Sequence, residues 1–63
     1  MTDTCKIFKG GAAVLTSRDF PAGMYSVTLR GPAGELVDRV RCDDYRASRE
    51  YFRAFSAIAR GMA

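Results

Sequence analysis

Histidine and tryptophan are absent from this chain of 63 residues, and cysteine and proline occur only twice each. No apolar stretch approaches the ~20 residues of a bilayer-spanning helix. Without histidine there can be no Ser–His or Cys–His pair to activate a nucleophile, and without a Cys-x-x-Cys a zinc site lacks its usual ligands. Asp43-Asp44 is the only adjacent pair of acids. On a helix, where neighbours diverge by about 100°, the two suit capping better than sharing a proton. Gly10-Gly11 is not followed by the lysine and hydroxyl residue of a phosphate-binding loop. The sequence therefore predicts no catalytic residue, no cofactor and no metal, and the chain is not expected to be an enzyme.

What is present has the balance of an ordinary globular domain, 48% hydrophobic and 27% charged. Residues 1–63 make one small domain, short enough to bury only about 60% of the surface its unfolded chain exposes, so its stability is expected to be marginal. The opening "MTDTCKIFKG" carries Asp3 and no apolar core before a cleavage site, so no signal peptide is expected and the cytoplasm is the expected compartment. There Cys5 and Cys42 are expected as free thiols; a disulfide between them, worth about 3–4 kcal/mol, is the alternative. The net charge is +3, and eight of the ten basic residues are arginine. In a chain rich in alanine and glycine, that bias resembles the small proteins of high-GC bacteria and is weak evidence for nucleic acid.

The clearest local pattern is "GMYSVTLRGPAGELVDRVRC", residues 23–42. It alternates on both sides of "GPAG", where Pro32 suits the second position of a type I turn and Gly34 can take positive φ. The pattern predicts a hairpin of strands 24–30 and 36–42. Arg30 would sit opposite Glu35, Leu29 opposite Leu36, Val27 opposite Asp38 and Tyr25 opposite Val40. One face then carries Tyr25, Val27, Leu29, Leu36, Val40 and Cys42, with Asp38 as its misfit. The other carries Met24, Ser26, Thr28, Arg30, Val37, Arg39 and Arg41. From Tyr45 the apolar positions follow helical spacing, with Asp43 and Asp44 at the start and Gly61 as a stop, so a helix is expected over about 43–60. Tyr45, Tyr51, Phe52, Phe55 and Ile58 would pack on the hairpin. Arg46, Arg49, Arg53 and Arg60 fall within roughly 60° on the far side, as a solvated stripe. In the first twenty residues "CKIFK" and "AAVLT" read as short strands about a two-residue turn at Gly10-Gly11, able to widen the sheet. "SRDFPAG", 17–23, reads as a loop with Phe20 folded back on the core. The expected fold class is α+β, a short antiparallel sheet covered on one face by a C-terminal helix.

Two functions follow. A helix on a hairpin leaves apolar surface uncovered, chiefly Tyr51, Ile58 and Met62, which points to a protein-interaction or self-association module, with a second copy as the simplest partner. The alternative starts from Arg30, Arg39 and Arg41 on one strand face. Antiparallel strands followed by a packed helix, with a positive outer face, resemble the plant ethylene-response-factor type of DNA-binding domain and the arm-site-binding domains of phage integrases. The resemblance covers roughly residues 23–60, and the plant family's tryptophans have no counterpart here. It implies a sheet laid in the major groove of double-stranded DNA, with those three arginines reading bases. Readers of single-stranded RNA would need aromatics among the arginines of that face, which has none.

Overall fold

The computed structural model describes residues 4–19 and 23–62. Four strands and one helix follow each other in the order β1 (Thr4–Ile7), β2 (Ala13–Asp19), β3 (Met24–Arg30), β4 (Leu36–Cys42) and α1 (Tyr45–Gly61). The strands form one antiparallel sheet in sequence order. The α+β expectation therefore holds, and the N-terminal runs do widen the sheet. They do so beside β3, opposite β4. The residues expected as a loop from Ser17 belong in part to β2, which runs to Asp19. Phe20 lies outside the described residues.

The outer hairpins share one turn design. The Gly11 N–H donates to the Phe8 carbonyl at 2.9 Å and the Phe8 N–H to the Ala12 carbonyl at 2.8 Å; Gly34 to Gly31 and Gly31 to Glu35 repeat the pattern at 2.9 and 2.8 Å. Each loop has three residues, a type I turn closed by a glycine at positive φ, 99° at Gly11 and 84° at Gly34. The first turn is thus one residue longer than the two-residue reading at Gly10-Gly11. Gly11 is also fixed by space, since a Cβ there would stand 3.1 Å from the Pro32 carbonyl oxygen of the other turn.

The strands of the β3–β4 hairpin fall where the alternation placed them, but their register does not. Tyr25 pairs with Cys42, Val27 with Val40 and Leu29 with Asp38, two residues away from the expected partners. A shift of two preserves the faces. A bulge then follows, and Arg30 pairs with Leu36 instead of Glu35. The extra residue turns Leu36 off the core face, leaving it 58% exposed. The three-residue loop plus one bulged residue accounts for the offset. Asp38 stays on the inner side, as expected, but at the edge of the sheet, where it is exposed and its Oδ1 accepts from the Arg39 N–H at 2.7 Å.

The helix starts at Tyr45 because the Asp44 side chain accepts from the Arg46 N–H at 3.1 Å and the Asp44 carbonyl takes the first helical bond, from Ser48 N–H. It includes Gly61, one residue past the expected end, and Met62 caps it. Its axis lies over β2 and β3, with less contact to β4 and none to β1. The core is Ala12, Val14, Val27, Leu29, Phe55 and Ala59, with Phe8, Val40, Phe52 and Met62 packed around it. Ser48 and Ser56 are buried too, each hydroxyl donating back to a helix carbonyl, at 2.6 Å to Tyr45 and 2.7 Å to Phe52. These small side chains let the helix settle toward β2. Consequently Tyr51 and Ile58, expected in the core, are 43% and 49% exposed, and Tyr45 is exposed while its ring meets that of Tyr25 in a tilted contact, centroids 5.7 Å apart.

Candidate functional site

Around its circumference the helix divides into three sectors. The first is the core arc of Ser48, Phe52, Phe55, Ser56 and Ala59. Turning about 100° in one direction reaches Arg49, Arg60 and Arg53. Turning about 120° in the other reaches Ala47, Tyr51, Ala54, Ile58 and Gly61.

The arginine sector is exposed, as expected of the stripe, but most of it also borders a concavity. Because β1 joins the sheet beside β2 and stands clear of the helix, a cleft of about 420 Å³ opens between them, lined by Thr4, Lys6 and Thr16 from the sheet and by Arg49, Arg53 and Arg60 from the helix. Among the described residues no carboxylate lines it. The Lys6 ammonium lies 5.3 Å and the Arg60 guanidinium 5.9 Å from the centroid of the Phe8 ring, so two cations gather on one aromatic ring. Arg49 stands 6.0 Å from the Tyr45 ring centre and donates to the Tyr45 hydroxyl at 3.3 Å. Arg46, the fourth member of the stripe, lies outside the cleft. The sequence shows the stripe but not the wall opposite. The signal that could have found it is the phase of "TCKI", which puts Thr4 and Lys6 opposite Thr16 and Val14 on the helix side of the sheet.

The opposite sector is an apolar seam. Ala47, Tyr51, Ala54, Ile58 and Gly61 recur at intervals of four, three, four and three residues. Ala47 is half-buried and the other four are exposed. That spacing is the seam a helix offers to another helix, with small residues at three of its five places. Of the three residues expected at a partner surface, Tyr51 and Ile58 belong to this seam. Met62 lies beside it and is half-buried against the core.

The outer face of the sheet carries the other candidates. Arg39 pairs with Thr28, Arg41 with Ser26 and Arg30 with Leu36, so the three arginines do share that face. Arg30 is held by its own turn, donating to the Gly34 carbonyl at 3.0 Å. Arg39 is exposed, and its guanidinium meets no partner among the described residues.

The thiols sit on opposite edges of the sheet, Cys5 exposed on β1 and Cys42 half-buried on β4. Three strand spacings, about 14 Å, separate these edges, where a disulfide needs Cα atoms within about 7 Å. Burial, and then the Asp43 carboxylate, push the Cys42 thiol above its ordinary range.

Comparison with protein-family models, curated proteins and solved structures finds no match to this chain.

Proposed function

We propose that this chain is a non-catalytic association module whose partner is a second copy of itself, docked helix against helix. The observation that carries this reading is an imbalance of apolar surface. Among the described residues six large apolar side chains are exposed (Ile7, Leu36, Val37, Tyr45, Tyr51 and Ile58), against four in the core (Val14, Val27, Leu29 and Phe55). A chain of this length gains little from so small a core, and pairing is a common remedy.

The seam also suggests which partner. Read from either end it runs small, large, small, large, small, with Ala54 at its centre. Two antiparallel copies related by a two-fold axis through Ala54 would set Tyr51 against the partner's Ile58 and Ala47 against the partner's Gly61. That is the self-complementarity an isologous interface requires. Pairing through the free β4 edge is less favoured. The Asp38 carboxylate occupies the Arg39 N–H, and the bulge breaks the edge's regularity, both of which blunt strand addition.

Sedimentation equilibrium at about 0.1 mM tests the reading, since a dimer burying ~1,200–2,000 Å² in total is populated there. The expected mass is that of two chains, and Ile58→Glu is expected to return it to one chain with the far-UV spectrum unchanged, because a lone carboxylate in an apolar interface loses hydration without gaining a partner. A wild-type mass of one chain at all concentrations would end the proposal.

Contact with double-stranded DNA through the outer sheet face is the second reading. It is favoured by the exposed, unpartnered Arg39 beside Arg41 and weakened by the engagement of Arg30 with its own turn.

A further inference from the structure

The cleft between β1 and the helix is where cations gather. Lys6, Arg49, Arg53 and Arg60 all line it, and among the described residues no aspartate or glutamate does. None of the four is in an ion pair among the described residues, and Arg53 meets no partner there at all. Four like charges around one concavity repel each other in the free protein, and its walls concentrate their field, so an anion entering the cleft gains from all four at once.

The geometry of the row selects among anions. Arg49 and Arg60, with Arg53 between them, stand eleven residue steps apart on α1, about 16 Å at 1.5 Å per residue. The triphosphate chain of a nucleotide is shorter than this row, whereas several successive phosphates of an extended strand match it. The cleft also has what the outer sheet face lacks: aromatic rings among its lining, Tyr45 beside Arg49 and Phe52 on the helix wall. A groove that tracks a backbone with cations and offers aromatic faces to the bases is the arrangement of sequence-tolerant single-strand binders. We infer that this cleft binds single-stranded nucleic acid, Lys6, Arg49, Arg53 and Arg60 contacting phosphates. The site lies on the opposite side of the helix from the apolar seam, so association leaves it open and neither reading depends on the other.

Fluorescence anisotropy of a labelled oligothymidylate of about ten nucleotides tests the inference. Four phosphate contacts on a single strand give a log–log salt slope near −2.8, an affinity loss of about 50-fold between about 50 and 200 mM salt. Arg53→Ala is expected to reduce that slope to about −2.1. Arg39→Ala on the outer face, and Ile58→Glu in the seam, are expected to leave it unchanged. These exposed positions keep the fold, which the far-UV spectrum verifies. Absence of binding at about 0.1 mM protein in low salt would overturn the inference, as would a slope that Arg39→Ala changes and Arg53→Ala does not. A duplex bound at least as tightly as the single strand would also overturn it, in favour of the sheet face. Equal competition by ATP, mole for mole, would overturn it in favour of a nucleotide.

Discussion

Cys42 shows how one residue's surroundings set its chemistry. Its Sγ lies 3.8 Å from the Tyr25 carbonyl, half-buried at the sheet edge, with Asp43 next in the chain. Burial and the neighbouring negative charge both disfavour the thiolate, so the folded protein holds the thiol protonated to higher pH than the unfolded chain does. Since the folded-state pKa is the higher one, the stabilisation is complete below the unfolded-state pKa and is lost as pH rises through the folded value. Iodoacetamide at mildly alkaline pH is expected to modify the exposed Cys5 first and Cys42 several-fold more slowly, with the difference vanishing in denaturant. Equal rates in the folded protein would show that Cys42 is not shielded.

At the scale of elements, the helix is held by Phe55, 5% exposed against Val27 and Leu29, more than by any residue of its apolar margin. Phe55→Ala is expected to cost about 3–5 kcal/mol, enough to unfold a marginal domain, and Tyr51→Ala far less in the monomer. Urea denaturation at micromolar concentration checks both, and equal losses would place the core elsewhere. The elements themselves were readable in the sequence: alternation about "GPAG" placed β3 and β4, and the spacing from Tyr45 placed the helix. Their relation was less so. A period of two is blind to a register shift of two, so Val27 met Val40 instead of Asp38. A single bulged residue beside Leu36 turned it outward, and no local pattern announces that. Which part of a broad apolar arc faces the sheet is likewise a tertiary matter. The helix is centred over β2 and β3, so the buried arc runs through Ser48, which the helical spacing already placed there, on to Ser56, and leaves Tyr51 and Ile58 outside.

On the scale of the whole molecule, strand order decides what each flank of the helix becomes. With β1 outside β2, the arginine flank acquires a facing wall and becomes a cleft, while the Tyr51–Ile58 flank gains no cover. The sequence showed both stripes but could not say on which side the N-terminal strands would join. The central claim, a helix-to-helix pairing of two copies centred on Ala54, is tested most directly by cross-linking. In a background of Cys5→Ser and Cys42→Ser, Ala54→Cys puts two thiols on the two-fold axis, where Cα atoms fall within disulfide reach of about 7 Å. Ala57→Cys puts them on an exposed face about 60° away from the seam. Mild oxidation at about 0.1 mM, read by non-reducing electrophoresis, is expected to convert the Ala54→Cys variant to a disulfide-linked dimer and to leave the Ala57→Cys variant monomeric. Equal cross-linking of the two variants, or none at position 54, would contradict the account.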